Sequence, residues 1–585
     1  MIIEKIQEIL TNSAKEIGIE EEFSVSFSKM PQLCDFQSNN CFALAKKYGK
    51  NPLELAENIV KNIKNSENFE FSVVKPAFIN IKLTDKCLSK LGNEYLKNNM
   101  AGITKKQKEK VILDYGGANV AKELHVGHLR PAIIGESLKR LYKFLGDEVI
   151  SDVHLGDWGL QMGLTALQLY EDGLVDGYFK ESGNKKVTLD MLNVAYPKAS
   201  ARKKVDEEFR DKSADWTVKI QSKQEPYYSL YQEIRRVSVE QIKEGYSKLG
   251  AQFDLWYGES DACEYTDEVI ELIKSKGLAK VSNGALIVEV AKEGENIPLP
   301  KKSEDEIQRY SNPMPPCIIQ KENGAVLYAT TDIATIYMRN KMFENVDRIE
   351  YVTDQRQDLH FTQFFRVCKM AGISPENQVL LHIGHGTMNG YDGKPFKTRS
   401  GETFKLEEII SLLIEKASKK LESNNTDYTP ELALQIGVAA MKFGDLINTV
   451  NKDYVFDLDK FLAFEGKTGP YLQYTVCRIN SILNKLEGEN GGEFAIYNEE
   501  ERNIIKSIIK LNSSYDICYK EKSLNTLCLA LYDLASAFST FYNNHNVAKE
   551  SDLTKKASYI SLLKLVKDKL EQGLNILAIE VPSKM

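Results

Sequence analysis

Two stretches of this chain set a histidine, one residue, a glycine and a second histidine in a row. ELHVGHLRPAIIG carries His125 and His128, and QVLLHIGHGTMNG carries His382 and His385. Such a pair can bond the oxygens of a triphosphate if a helix begins there. A helix N-terminus offers unpaired backbone N–H groups and the positive end of the macrodipole to an anion. The first pair meets that condition. VILDYGG before it reads as a buried strand ending in glycines. After it Leu129, Ile133, Ile134, Leu138, Leu141 and Leu145 share one helical face, which Gly146 stops. Gly127 would let a nucleotide ring approach the backbone closely. His125 and His128 would then donate to phosphate oxygens as charge shifts during attack, a catalytic role for all three residues.

The second pair ends a strand and runs into GTMNGYDGKPFKTRSG, which reads as loop. Its histidines are therefore not expected to hold phosphate. The backbone at Gly386, Thr387 and Met388 is instead expected to meet an adenine ring. The Gly-flanked KPFKTRSG supplies Lys394, Lys397, Thr398 and Arg399 to clamp phosphates. A zinc site is the competing reading of either pair, but no third or fourth ligand has suitable spacing, so no metal site is expected.

These groups need a scaffold. Strand, glycine turn, helix and the following strand DEVISDVHLGDWG make a βαβ unit, which places ligands at the carboxyl ends of its strands. GALIVEV, AVLYATTDIA, DRIEYVTD and NQVLLHIGH are expected to extend the same sheet. The expected fold is therefore multidomain. Residues 1–108 form an N-terminal α+β domain, with FEFSVVKPAFINIKL as a strand pair broken at Pro76. Residues 109–455 form an α/β Rossmann-type catalytic domain with a parallel sheet, and carry a helical insertion at about 171–250. Residues 456–585 are all-α, a C-terminal helical bundle.

Composition sets limits. At 585 residues the chain is too long for one core. No apolar run approaches the roughly 20 residues that span a bilayer, so no membrane association is expected. The amphipathic start MIIEKIQEILTNSAKEIG is expected to be a first helix and not a signal peptide. Nine scattered cysteines without a CxxC pair fit reduced thiols and a cytoplasmic location. The net charge of −7 argues against a globally basic nucleic-acid binder but leaves room for a local basic surface.

ANVAKELHVGHLRPAIIG, HLGDWGLQMG, VAYPKASAR, TDQRQDLHF, DGKPFKTRSG, FEGKTGPYLQY and the ending AIEVPSKM together resemble arginyl-tRNA synthetases of the bacterial type, in family order and over the whole chain. The resemblance implies a class I aminoacyl-tRNA synthetase. Its N-terminal domain would contact the tRNA elbow and its helical C-terminal domain would read the anticodon. L-arginine and ATP, with Mg²⁺, would give arginyl-adenylate, and the arginyl group would pass to the 2′-hydroxyl of the terminal adenosine of tRNA(Arg). A monomer is expected, with no tightly bound metal.

A guanidinium is planar, always charged and has five donors, so its pocket needs carboxylates and polar oxygens. By resemblance the arginine ligands are Asn119, Glu259, Tyr328, Asp332 and Gln357. Tyr328 and Asp332 would share one face if a helix begins at LYATTD. For tRNA, Tyr471, Gln473, Tyr474 and Met585 are the candidates. Tyr471 and Tyr474 could equally pack between helices.

The sequence departs from the common class I pattern in two places. KPFKTRS stands where KMSKS is usual, and Lys122 is the residue the resemblance suggests for neutralising phosphate beside Lys397 and Arg399. GGAN and HLRPA lack the usual small hydroxyls, and Pro131 is expected in the first turn of a helix. The rivals are a synthetase for another amino acid, a non-catalytic tRNA-binding paralogue and a small-molecule nucleotidyltransferase.

Overall fold

A computed structural model describes residues 2–64, 66–295, 314–394, 404–424 and 426–585, with backbone alone at 297–298 and 310–311. At its centre four strands run parallel. They are β1 (Lys110–Tyr115), β2 (Glu148–Asp152), β3 (Arg348–Asp354) and β4 (Val379–His385), in the order β4-β3-β1-β2. Val111, Ile112, Leu113 and Tyr115 are fully buried, as a strand covered on both faces requires. Helix α1 (Val126–Leu145) crosses from β1 to β2 and is capped by Gly146 in the left-handed region, φ 116°. β1 pairs with β2 on one side and β3 on the other, so the winding reverses at β1. A crevice opens there, beyond the carboxyl ends of the strands.

Two expected strands fall elsewhere. AVLYATTDIA begins helix α2 (Tyr328–Met342), because a short apolar run does not distinguish a strand from a buried helix. In GALIVEV, Ala285–Val288 joins a separate antiparallel sheet with Ala279–Ser282 and Cys317–Gln320. Asn283 and Gly284 carry φ 48° and 77°, the Asn-Gly turn that closes a tight hairpin, and this fixes the first pairing. Helix α3 (Asp358–Ala371) links β3 to β4.

The sheet ends are tied by one buried ionic cluster. Arg339 of α2 is 1% exposed, and its Nη2 lies 2.5 Å from Asp114 Oδ2 and 2.7 Å from Asp152 Oδ2. Its Nη1 donates to Tyr351 Oη at 3.1 Å. One side chain thus joins β1, β2, β3 and α2.

Pro131 corrects an expectation. α1 begins at Val126, so Pro131 lies in the helix interior and not its first turn. It cannot donate to Gly127 O four residues back, which leaves that carbonyl without its helical partner.

The N-terminal unit is an antiparallel sheet in which the hairpin Phe69–Val74 and Phe78–Leu83 supplies two of four strands. It docks on the C-terminal helices: Asn93 exchanges hydrogen bonds with the Phe494 backbone at 2.8 and 2.9 Å, and Arg502 donates to Leu83 O at 2.9 Å. The insertion forms helices Leu189–Arg202, Glu207–Gln221 and Tyr227–Lys248. After the two-residue strand Tyr454–Val455 the described chain is helical, chiefly Gly469–Lys485, Glu499–Glu521, Asn525–Asn544 and Leu553–Ile576.

Replacing Arg339 by Met would leave Asp114 and Asp152 buried without their cation. The expected loss is about 3–5 kcal/mol of stability, read as a lower urea midpoint. A variant as stable as the parent would mean that the two carboxylates are neutralised by some other group.

Candidate active site

His125 and His128 cap α1 through their own side chains. His125 Nδ1 accepts from Gly127 N at 3.1 Å, and His128 Nδ1 accepts from His125 N at 3.0 Å. The capping box usually built from a hydroxyl and a carboxylate is built here from two imidazoles, their ring centroids 4.0 Å apart. An accepting nitrogen carries no proton, so each neutral ring is protonated at Nε2. Burial, assisted by Lys122, pushes the His125 pKa down to about 4, and burial with His125 and Lys122 pushes His128 well below its usual value. Both rings are therefore neutral near pH 7. Neither Nε2 has a protein acceptor among the described residues. Two N–H donors thus stand at the positive end of a long helix, with the half-buried Lys122 beside them.

The chain returns to this point after the KPFKTRSG segment. Val126 N donates to Phe404 O at 2.9 Å and Leu406 N to Leu124 O at 2.8 Å, a bridge that sets Lys405 opposite His125. Lys405 Nζ pairs with Glu123 at 2.5 Å. Lys397, Thr398 and Arg399 lie outside the described residues. Lys394 stands before them in a turn in which its carbonyl accepts from Gly390 N at 2.8 Å.

The second histidine pair lies within β4, and its side chains point into the protein. His382 is stacked on Phe361 at 4.1 Å and 8°, and contacts Thr353 Oγ1 at 2.7 Å and Asp358 Oδ1 at 2.6 Å. His385 is buried against Gly386 O at 2.9 Å. Of the three residues expected at an adenine, two have their amides engaged. Gly386 N bonds Val450 O at 3.1 Å, and Thr387 N bonds Asp453 Oδ1 at 2.6 Å. Thr387 O also accepts from Tyr454 N, while Met388 pairs along Tyr454. Backbone donors from Gly386 and Thr387 are thus not available to a ligand in this conformation.

Across the crevice lies an acidic pocket. Tyr328 opens α2, 72% exposed, and Asp332 follows one turn later on the same face. Tyr328 is therefore not a core tyrosine. Glu259 opens the short helix Glu259–Ala262. Burial, reinforced by the charges of Asp157 and Asp332 and opposed by His154, pushes its carboxyl up to about 7. Gln357 is exposed at the N-cap of α3, one turn before His360. Asn119 bridges Gly156 along the backbone, and a Cβ on Gly156 would stand 2.4 Å from Asn119 Oδ1, so any larger residue there would displace the Asn119 amide. Asp157, fully buried, holds Arg235 of the insertion at 2.6 Å and Ser260 N at 2.9 Å, and so fixes the turn that carries Glu259.

Several of these residues escaped sequence reasoning. His360 bonds Asp332, with Nε2 2.6 Å from Oδ2. His154 stands in the left-handed region at φ 35° and reaches Thr335 Oγ1 only at 3.5 Å. Both lay in quoted motifs, but nothing in the spacing assigned them partners. The signal for Arg339 was present: Asp114 and Asp152 close two buried strands, and buried carboxylates require a cation. Asp114, Asp152 and His154 are also the one group among the described residues whose ligand atoms converge, within 4.8 Å. Arg339 already fills that cluster.

In the helical domain the tRNA candidates separate. Tyr474 is 38% exposed and shares with Met585 a cleft of about 690 Å³ that Lys420 also lines. Tyr471 packs between helices, its Oη 3.0 Å from Ser539 Oγ and its ring 5.8 Å from Tyr532. Gln473 is a correction: it is fully buried and donates to Glu580 O at 2.7 Å, so its amide faces the protein and not an RNA base.

Residues 90–458 match the family described as tRNA synthetases class I (R), catalytic domain. Residues 1–83 match the arginyl tRNA synthetase N terminal domain, and residues 472–585 the DALR anticodon binding domain. Over 100% of both chains the sequence is 39% identical to an arginine–tRNA ligase of Alkaliphilus oremlandii and 40% identical to one of Agathobacter rectalis. Among solved structures, arginyl-tRNA synthetase from Plasmodium falciparum superposes with TM-score 0.80 at 25% identity, covering 100% of this chain and 99% of that one. The Thermus thermophilus enzyme shares the fold, with TM-score 0.79 at 20% identity over 100% of both chains. Among the described residues no helix is long and apolar enough to cross a membrane. A histidine-capped helix beside an acidic pocket, on a sheet flanked by these two further domains, is accounted for at once by the whole-length match: the chain belongs to the arginyl-tRNA synthetases of class I.

Proposed function

We propose that the chain ligates L-arginine to the 2′-hydroxyl of the terminal adenosine of tRNA(Arg) through an arginyl-adenylate, with MgATP as co-substrate, in the crevice between α1 and α2. The observation that carries this reading is the juxtaposition of two neutral Nε2–H donors at a helix N-terminus with a pocket holding Glu259 and Asp332. The donors suit phosphate and the carboxylates suit a guanidinium.

In this mechanism the arginine carboxylate attacks the α-phosphate and pyrophosphate leaves. The 2′-hydroxyl then attacks the activated carbonyl and AMP leaves. No side chain forms a covalent bond, so catalysis is positioning plus charge stabilisation. His125 and His128 donate to phosphate oxygens as charge develops, and Lys122 adds a cation beside them. Lys397, Thr398 and Arg399 are proposed further phosphate contacts. The guanidinium sits between Glu259 and Asp332, with Tyr328 and Gln357 at the mouth and Asn119 on the amino-acid end. Tyr474 and Met585 offer an anticodon base a stacking surface, and Lys420 and Arg478 nearby suit its phosphates. Residues 1–108, 109–455 and 456–585 are the proposed working units, in a cytoplasmic monomer.

The direct test is aminoacylation of total bacterial tRNA by the purified protein, with each amino acid offered in turn and citrulline as a neutral control. Arginine alone is expected to be accepted. Charging with another amino acid would keep the fold and overturn the guanidinium pocket. Asp332→Ala is expected to lower kcat/KM for arginine by about 100-fold, the scale of losing up to roughly 3 kcal/mol of charged hydrogen bonding, while ATP binding persists. Unchanged charging by that variant would remove Asp332 from the pocket.

A second expectation concerns pH. The free-enzyme Glu259 carboxyl titrates near 7, and a bound guanidinium favours its charged form, so arginine binding displaces a proton below that pH. Affinity should therefore rise as pH climbs from 6 to 8 and level off above. Arginine KM measured across that range, with ATP KM as the control, should fall in the parent and stay flat in Glu259→Gln. A flat parent profile would contradict the assignment.

A further inference from the structure

We infer that His360 is a positioning residue of the arginine pocket: its ring holds Asp332 by one carboxylate oxygen and leaves the other turned to the guanidinium. The inference rests on the reading of Asp332 as an arginine ligand and goes one step behind it.

The geometry is local and specific. Asp332 sits in the second turn of α2, and His360 is the third residue of α3, which packs against α2. Nε2 lies 2.6 Å from Oδ2. Asp332 makes no other side-chain hydrogen bond among the described residues, so His360 is what fixes its orientation. The imidazole is itself held: its ring lies 5.1 Å from Phe364 and 5.7 Å from Phe361. Asp332 and His360 keep 26% and 32% of their side-chain surface open, so the pair borders the pocket and is not sealed beneath it.

The chemistry explains why this residue type suits the position. The last torsion of an aspartate is broad, so an unheld carboxylate turns freely. A guanidinium fork needs the carboxylate in one plane, and ordering it in advance lowers the entropy lost on binding. A carboxylate has about four acceptor sites, so one donor from His360 leaves room for a forked contact. A lysine or arginine here would hold Asp332 equally well but would remain charged and compete with the substrate for it. An imidazole donates one N–H without a permanent charge.

The experiment compares the full-length parent with His360→Phe, His360→Gln and Asp332→Asn. It uses arginine-dependent ATP–pyrophosphate exchange with tRNA present. Phe keeps the ring packing and removes the donor; Gln restores a donor near the Nε2 position. His360→Phe is expected to raise arginine KM about tenfold, with ATP KM unchanged, and His360→Gln to stay within about threefold of the parent. Adding His360→Phe to Asp332→Asn should cost far less than it costs the parent, because the two act through one contact. The inference is overturned if His360→Phe behaves as the parent, if it raises arginine and ATP KM alike, if His360→Gln is equally impaired, or if the two substitutions are additive. Asp332→Asn with an unchanged arginine KM is a separate failure, that of the pocket reading itself.

Discussion

The catalytic half of this chain depends on a guanidinium buried between two aspartates. Asp114 is the last residue but one of β1 and Asp152 the last of β2, and Arg339 of α2 bonds both. From Asp114 the chain runs through the glycines to Asn119 and His125. From Asp152 it runs to His154 and Asp157, the anchor of the Glu259 turn. Two turns back along α2 from Arg339 stands Asp332. One ion cluster therefore sets the spacing between the two imidazole N–H groups of α1 and the carboxylates of the acidic pocket. Burying three charges is expensive, and a well-packed apolar trio could be more stable. What the ions add is register: Nη2 of Arg339 reaches both carboxylates at once only when β1, β2 and α2 keep one arrangement.

At the other wall of the crevice, structure and chemistry use opposite sides of the same rings. His125 and His128 spend Nδ1 on capping α1, and that choice forces the proton onto Nε2, which has no protein acceptor among the described residues. A serine or aspartate cap would end the helix as well, but it would leave no such donor. Low pKa values follow from the same burial that makes the cap rigid. Pro131 belongs to this region, since the Gly127 carbonyl to which it cannot donate lies within the capping turn.

The sequence was most informative where two levels of structure agreed. His125 and His128 could be chosen over His382 and His385 because only the first pair has a strand and glycines before it and a periodic helix after it. The second pair belongs to β4, and its rings pack on Phe361 and Gly386. Tyr328 and Asp332 were legible from their four-residue spacing, even though the surrounding AVLYATTDIA also read as a strand. Periodicity could not separate those readings in so short a run. Ala285–Val288 was misplaced because alternation reports a strand but not its sheet; the Asn283–Gly284 turn was the better clue. Long-range partners were invisible. Nothing in the spacing joins Arg339 to Asp114, 225 positions away, or His360 to Asp332. In the helical domain, Gln473 and Tyr474 are neighbours on one helix, and only packing decides that the first is buried and the second exposed.

The C-terminal tail explains why the helical domain sits where it does. Arg140 of α1 donates to the Asn575 backbone and side chain at 3.0 and 2.9 Å. Lys442 donates to Ala578 O, Gln473 to Glu580 O and Cys477 to Pro582 O, and the chain then ends with Met585 in the cleft beside Tyr474. The segment that leads to this cleft is thus bonded in turn to α1 at Asn575, to helix Pro430–Leu446 at Ala578 and to helix Gly469–Lys485 at Glu580 and Pro582. Lys442 shows that the seam is built for position. Burial pushes its ammonium down to about 7, yet its one hydrogen-bond partner among the described residues is a backbone carbonyl. A methionine would fill the same space without that desolvation penalty, but it could not hold Ala578, which stands in the left-handed region at φ 54°. The lysine, carried on helix Pro430–Leu446, thus fixes the turn from which the last residues run to the cleft.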